Sequence, residues 1–185
     1  MNRRDFLVKS SASALVLGTS GLLLPDVAAA RTDDFWSKDR VLSVRRSQTG
    51  ETSLLAFYRS GRYDPAVYRQ ACYLLRDVVD RNTMASMDIG LLNLMWGLQE
   101  WARMTGTSNP LLSINSGFRT QRHNAALEGA VRNSLHLSGQ AADINIRGLE
   151  QEQVQRMAAY YKVGGVGLYD NFVHVDTGRV RFWSG

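Results

Sequence analysis

Two segments decide how this chain folds: Ala141-Ala142-Asp143-Ile144-Asn145-Ile146 and Phe172-Val173-His174-Val175-Asp176. Apolar and polar side chains alternate in both, which is typical of β-strands with one face on the core. Asp143 falls on the polar face of the first strand, and His174 and Asp176 fall on the polar face of the second. If the two strands are neighbours in one sheet, we expect Asp143 and His174 to lie close together.

The remaining sequence predicts a hairpin, then helices, then mostly strands. Asp64-Pro65 is typical of a helix start, with Asp as N-cap and Pro at the first helical position. A second helix is predicted from Met87 to Met104. Other elements are expected at 41–59 (hairpin), 111–116 (strand), 121–128 (helix), 149–162 (helix), 165–169 (strand) and 180–183 (strand), and the apolar stripe of the first helix contains Val67, Ala71, Leu74, Leu75, Val78 and Val79. This order predicts an α+β fold with an antiparallel sheet backed by helices.

The first thirty residues have the features of a targeting segment. Asn2-Arg3-Arg4-Asp5-Phe6-Leu7-Val8-Lys9 matches a twin-arginine export signal, which the twin-arginine translocase reads. The apolar run from Ala12 to Leu24 is too short and too interrupted to persist as a membrane anchor. Ala28-Ala29-Ala30 offers a cleavage site. We expect residues 1–30 to be removed on export to the periplasm or cell envelope, and residues 31–185 to form one domain.

Composition excludes some classes of function. The net charge of +5 is compatible with an anionic envelope polymer as partner and equally with an ordinary solvated surface. Basic residues do not cluster with aromatic ones, which argues against a nucleic-acid partner. Cys72 is the only cysteine, so an internal disulfide is excluded, and its apolar helical context predicts a small core residue.

A third residue joins the two strands in a predicted metal site. The chain has three histidines, and one of them, His136, lies in the predicted loop 129–139, where Gly139 allows the chain to turn back. Two imidazoles and one carboxylate suit Zn²⁺ with three protein ligands, which leaves the fourth position for an activated water. Taken singly, each histidine is equally an ordinary loop or strand residue. Together with Asp143, His136 and His174 favour a hydrolytic metal site.

Longer motifs resemble the murein endopeptidase K-like family of the zinc D-Ala-D-Ala carboxypeptidase group. The motifs are Ser134-x-His136-x-x-Gly139-x-Ala141-x-Asp143, Gly164-Gly165-Val166-Gly167 and Phe172-Val173-His174-Val175-Asp176-Thr177-Gly178. The resemblance covers nearly all of residues 31–185, including 62–65, 116–119 and 181–183. It implies a hedgehog or D,D-peptidase-like fold, Zn²⁺ held by His136, Asp143 and His174, and peptidoglycan peptide stems as the substrate.

The resemblance also implies a role for Arg119. In related enzymes the matching arginine holds a substrate carboxylate or polarises the scissile carbonyl, which suits a charged group with parallel donors. On the residues alone, Arg119 can equally pair with a surface acid such as Asp80. For His123 we favour a surface position over one in the substrate groove. We expect Trp183 to lie at the sheet edge near the site.

The general base is where the sequence departs from the wider group. Many members place a carboxylate three residues before the last histidine, but here that position is Asn171, with Asp170 one step further back. Asp176 is the remaining candidate. It can deprotonate the activated water, or it can orient His174 or Arg119. We favour Asp176 over Asp170 because strand alternation places it on the face that carries His174.

These features predict an exported zinc metallopeptidase that cuts peptidoglycan crosslinks. Within the resemblance, the expected bond is the L,D bond between two diaminopimelate residues. A D,D bond at D-Ala, cut by an endopeptidase or carboxypeptidase, is the chemical alternative. A non-catalytic cell-wall-binding module that keeps the zinc fold is the rival from another class, since Asn171 replaces the expected carboxylate.

Overall fold

The computed structural model describes residues 35–185, so the predicted targeting segment, residues 1–30, lies outside the described residues. The strands are β1 (Arg40–Arg46), β2 (Thr52–Arg59), β3 (Arg62–Tyr63), β4 (Leu112–Ser116), β5 (Ala141–Ile146), β6 (Gly165–Tyr169), β7 (Phe172–Asp176) and β8 (Arg181–Ser184). The helices are α1 (Pro65–Leu74), α2 (Ile89–Met104), α3 (Gln121–Ala126), a 3₁₀ helix (Leu135–Ser138) and α4 (Gln151–Tyr161). The predicted α+β class is confirmed.

The named strands form one mixed sheet in the order β3-β2-β1-β4-β5-β7-β6-β8. Most neighbours are antiparallel, as predicted, but the pairs β1–β4 and β6–β8 are parallel. The prediction of an antiparallel sheet is therefore wrong at these two pairs. A long connection through β2, β3, α1 and α2 separates β1 from β4, and such crossovers permit parallel pairing. β8 runs parallel to β6 because the chain reverses once after β6 and again after β7.

Helix α1 begins at Pro65 behind its N-cap Asp64, as predicted. It ends at Leu74, however, so the predicted continuation of its apolar stripe through Val79 is wrong, and Val79 is 65% exposed. The side chain of Asp77 accepts hydrogen bonds at 3.0 Å from the backbone N–H groups two and three residues further on. Such a local side-chain bond competes with helix formation, and the chain turns here instead.

Helix α2 lies in the middle of the core. An apolar stripe along it is buried, and all members are at most 1% exposed: Leu91, Leu94, Met95, Leu98 and Ala102. The helix packs between β1 and α4, and Phe35 and Trp36 cover Trp96 on a further side. Cys72 is also buried, as predicted. Among residues 35–185, each helix is too short or too polar to cross a bilayer.

A 3₁₀ helix, Leu135–Ser138, lies inside the segment predicted as a loop. Gly139 ends it in the left-handed region, with φ 67°, which agrees with the turn expected at this residue. The carbonyl of Gly139 accepts a hydrogen bond at 2.9 Å from the backbone of Asp88, the N-cap of α2. The segment that carries His136 is therefore fixed to the start of the core helix.

Candidate metal centre

Strand pairing brings two of the predicted ligands together. β5 and β7 are antiparallel neighbours, and Asp143 lies directly opposite His174 in their register. The alternate side chains Ile144, Val173 and Val175 are fully buried in the core, as the strand pattern predicted. The 3₁₀ helix packs against β5 and brings His136 to the same place. One potential ligand atom from each of the three residues lies within 4.8 Å of the others.

The three atoms form a small triangle. Nδ1 of His174 lies 2.9 Å from Oδ1 of Asp143. Nε2 of His136 lies 3.3 Å from that oxygen and 3.2 Å from Nδ1 of His174. A tetrahedral ion with bonds of about 2.0–2.1 Å separates its ligand atoms by about 3.3–3.4 Å. The donor set and the spacing therefore fit a single metal ion.

Contacts behind the two imidazoles fix which nitrogen faces the triangle. Nδ1 of His136 lies 2.6 Å from the carbonyl oxygen of Gly117, and Nε2 of His174 lies 3.2 Å from Oδ2 of Asp176. When these outer nitrogens donate their N–H groups, each inner nitrogen keeps a lone pair. Two lone pairs then face a carboxylate oxygen, and three acceptors need a cation or a proton between them.

The electrostatics of the cluster agree with this requirement. Burial lowers the pKa of His136, which keeps its imidazole neutral. Burial alone would raise the pKa of Asp143, but contacts with His136 and His174 hold it well below its usual range. Burial likewise opposes the charge on His174, yet Asp143 and Asp176 together raise its pKa. The metal-free cluster thus attracts a proton to the position that a metal cation would take.

Asp176 lies directly behind His174 and is fully buried. Its Oδ1 accepts hydrogen bonds at 2.7 Å from the backbone of Gly165 and at 2.7 Å from that of Gly178, and its Oδ2 pairs with Arg181 at 2.8 Å. Burial alone would raise the pKa of Asp176, but His174 and the two backbone donors lower it to about 2. This carboxylate is ionised and its oxygens already have donors.

Gly164 and Gly165 allow this close approach. A Cβ on either residue would overlap atoms of Asp176, and one on Gly165 would also overlap Arg181. The glycines of this segment are therefore needed for a close backbone approach to Asp176. Because the segment lies on the turn into β6, it holds the Asp176 carboxylate against the back of His174.

Arg119 contacts the cluster from the turn after β4. Its Nε donates to Ser116 at 2.8 Å, and its Nη2 pairs with Oδ2 of Asp143. The alternative pair with Asp80 is not formed, since Asp80 pairs with Arg122. The Arg119 side chain remains 15% exposed, and Nη1 has no hydrogen-bond partner within residues 35–185. The Nη1 group of the guanidinium is therefore available as a donor beside the triangle.

A cleft of about 730 Å³ opens over the triangle. Trp183 lines it with its ring centroid 5.3 Å from that of His174, as the position near the site predicted. His123 also lines the cleft and is only partly exposed, so the expected surface position is wrong. Its Nδ1 lies 2.9 Å from the buried carboxylate of Asp77. Asp170 lies at a separate depression.

Two further buried residues belong to this region, and neither was predicted from the sequence to be a site residue. Asp77 holds His123, and Arg46, at the end of β1, lines the cleft. Arg46 continues the buried alternation of Leu42 and Val44 along β1, and a charged residue at such a position is the signal that was missed.

Comparison with known proteins identifies the family. Residues 35–183 match the family model described as peptidoglycan L,D-endopeptidase MepK. The chain belongs to the MepK family. It is 33% identical over 190 residues to a probable peptidoglycan L,D-endopeptidase MepK of Haemophilus influenzae, an alignment that covers 100% of this chain and 96% of the relative. It is 31% identical over 188 residues to peptidoglycan L,D-endopeptidase MepK of Escherichia coli K12, covering 98% of this chain and 97% of the relative.

This MepK family membership confirms the resemblance stated from the sequence motifs. The matched region contains the whole triangle, the arginine beside it and the strands that carry them. A peptidase family is consistent with the hydrolytic class of site predicted from the two imidazoles and the carboxylate. The lengths also agree, because the alignments extend over nearly the full length of both relatives.

Proposed function

We propose that this chain is an exported zinc peptidase that hydrolyses peptide crosslinks of peptidoglycan, with the L,D bond between two diaminopimelate residues as its target. The observation that carries the proposal is the triangle of two imidazole nitrogens and one carboxylate oxygen at the base of an open cleft. The names of the relatives supply the substrate class. The mixed sheet with its helices is compatible with the hedgehog or D,D-peptidase-like fold.

In this proposal His136, Asp143 and His174 hold the ion. Bound Zn²⁺ would supply a Lewis acid and a water of lowered pKa. Arg119, fixed by Ser116 and Asp143, presents its remaining N–H donors to the scissile carbonyl or to a substrate carboxylate. A guanidinium stays charged at every relevant pH and therefore keeps this donor capacity.

Asp176 is proposed to orient His174 in preference to acting as the base. Its oxygens already accept from two backbone amides, Arg181 and His174, and the residue is fully buried. A carboxylate behind a ligating imidazole fixes the ring and its tautomer and makes the inner nitrogen a better ligand. The contacts thus favour the second of the two roles that the sequence left open for Asp176.

Export is the remaining part of the proposal. Peptidoglycan lies outside the cytoplasmic membrane, so an enzyme that acts on it must leave the cytoplasm. The twin-arginine motif at 2–9 supplies the route, through the twin-arginine translocase, and residues 1–30 would be lost on the way. Replacement of Arg3 and Arg4 by Lys should hold the protein in the cytoplasm, as measured by cell fractionation.

Metal analysis combined with muropeptide profiling tests the activity. The purified protein should contain one zinc ion and release monomeric muropeptides from sacculi rich in diaminopimelate crosslinks, and a chelator should stop the release. His136→Ala should lose both zinc and activity. His123→Ala is a matched control for the zinc content, since it removes an imidazole that faces Asp77 and not the triangle. Full activity of His136→Ala would overturn the mechanism.

A cell-wall-binding module without turnover is the second candidate. Two observations favour it: the carboxylates of Asp143 and Asp176 are engaged, and Asn171 stands where the resemblance to the wider zinc carboxypeptidase group leads us to expect an acid. This alternative predicts zinc-loaded protein that sediments with sacculi and releases no muropeptides.

Release of D-Ala, or cleavage of D-Ala-diaminopimelate crosslinks alone, would favour the D,D-specific alternative.

A further inference from the structure

Arg46 is a buried arginine at the cleft with almost no partners. It is 2% exposed, and its Nη1 makes one long hydrogen bond, 3.5 Å, to the carbonyl of Leu74. Its Nε has no hydrogen-bond partner. Within residues 35–185 no carboxylate forms an ion pair with Arg46. The two nearby acids have other partners, because Glu51 pairs with Arg76 and Asp77 pairs with His123. A buried charge left in this state is strongly unfavourable.

The other buried arginine of β1 shows what a satisfied guanidinium looks like in this fold. Arg40 lies on the same face of the strand, and its Nη1 and Nη2 donate at 2.6 Å to Asn93 and to the backbone of Trp36. It also lies 4.2 Å from the ring of Tyr58. Nε is unpaired in both arginines, so the difference lies in the terminal nitrogens. Arg46 differs from Arg40 in that it lines the cleft.

The charges around Arg46 leave its positive charge only partly compensated, which favours binding of an anion. Burial, followed by the like charge of Arg76, lowers the pKa of Arg46 to about 10, so the group stays charged at neutral pH. Asp77 and Glu51 only partly offset this effect. A planar guanidinium with free terminal donors matches a carboxylate, because both groups form two parallel hydrogen bonds.

We propose that Arg46 is a carboxylate-binding residue of the cleft and that its ligand is a free carboxylate of the peptidoglycan stem peptide. This inference rests on the proposed function for the identity of the ligand. The stem peptide offers two sources, the carboxylates of diaminopimelate and of glutamate. Amidation of either carboxylate replaces the charged acceptor by a neutral carboxamide of nearly the same size. The subsite is separate from Arg119, whose guanidinium is held by Asp143 and Ser116.

Kinetics with paired substrates test the subsite. Crosslinked muropeptides are compared as free acids, with amidated diaminopimelate and with amidated glutamate. Wild-type protein should show a KM about tenfold lower for the free acid than for one of the two amides, a factor equivalent to about 1.4 kcal/mol. The amide that loses affinity identifies the source. Arg46→Met should raise the KM for the free acid to the amide value and leave that for the amide unchanged. Equal KM values for all three substrates would overturn the proposal.

Two measurements separate binding from folding. Arg46→Met removes a buried charge without an ion-pair partner, so its midpoint of thermal unfolding should equal or exceed that of wild type. Arg45→Met is the matched control, since Arg45 is the exposed neighbour on the opposite face of β1. It should leave the preference for the free acid intact. A destabilised Arg46→Met protein that still discriminates acid from amide would make Arg46 purely structural and would overturn the proposal.

A binding experiment keeps the inference independent of turnover. The Nε–H signal of Arg46, assigned by its loss in Arg46→Met, is followed by NMR while an uncrosslinked stem tripeptide or its amide is added. The free acid should shift this signal and the amide should not. If no substrate is hydrolysed but the shift occurs, the peptidase proposal fails and the subsite stands. If hydrolysis occurs and the signal responds to neither peptide, the subsite fails alone.

Discussion

Asp77 and Asp143 are both buried aspartates that contact histidines lining the same cleft, yet they differ in what else they bind. Asp77 accepts hydrogen bonds from the backbone of Val79, Asp80 and Thr120 in addition to its contact with His123. The partners of Asp143 are all side chains, namely His136, His174 and Arg119.

We propose that this difference separates a structural carboxylate, Asp77, from a metal ligand, Asp143. Backbone donors are fixed by the fold, so Asp77 stabilises a turn and has little capacity left. Imidazoles can exchange a proton for a metal ion, so the partners of Asp143 can reorganise around a cation. The presence of a buried aspartate–histidine pair is therefore not enough to indicate a metal site. The convergence of two imidazoles on one oxygen is what distinguishes Asp143.

The largest expected effect is that of Asp143→Ala. Loss of a ligand should remove zinc and lower the rate of muropeptide release by more than about a hundredfold, beyond the range seen when residues outside the ligand shell are lost. Metal content and muropeptide profiles measure both. Zinc retained at wild-type stoichiometry would contradict the assignment of Asp143 as a ligand.

Asp77→Ala should instead act on stability. Three backbone donors lose their acceptor, and buried unsatisfied donors are costly, so we expect the free energy of unfolding to fall by about 2–4 kcal/mol. Urea titration monitored by circular dichroism gives the value. The folded variant should keep its zinc. Loss of zinc with unchanged stability would abolish the distinction between the two aspartates.

Asp176→Asn tests the carboxylate behind His174. If Asp176 orients the ligand, the variant should bind zinc about 10- to 100-fold more weakly, the usual effect of losing such a partner. Competition with a chromogenic chelator measures this affinity. Unchanged affinity with a much lower kcat would assign Asp176 to proton transfer and reverse the role proposed above.

The smallest expected effect is a change in stability at acidic pH. Burial alone would raise the pKa of Asp77, but the backbone of Thr120 and Asp80 and the His123 side chain hold it below its ordinary 3.8. Because the native pKa is depressed, the stability that this carboxylate contributes is present above about pH 4 and is lost as the pH falls through the native pKa. The stability difference between wild type and Asp77→Asn should therefore narrow below pH 4. A difference constant down to pH 2 would contradict this account.

Strand alternation predicted that Asp143 and His174 lie close together because that signal is local, and the turn at Gly139 predicted that His136 joins them. Asp143 and His174 each fall on the polar side of a period of two, and only their pairing depended on the fold. Parallel pairing at β1–β4 could not be predicted, since it depends on how a long crossover packs. The end of α1 was not predicted because two local effects compete there. Helix propensity favours continuation through Val79, whereas the side-chain hydrogen bonds of Asp77 favour a turn, and the residue pattern does not show which effect is stronger. The surroundings of Arg46 depend on elements far away in sequence. The only local indication was that Arg46 continues the buried positions of β1.

The place of β7 between β5 and β6 has a consequence for how the proposed metal site would acquire an ion. His174 follows His136 by 38 residues, so a growing chain exposes two of the ligands before the third has been synthesised. Until β7 is inserted, a passing cation meets an incomplete and weak chelator. In this proposal the site is complete only once β7 has joined the sheet, so metal loading would be a late event in folding.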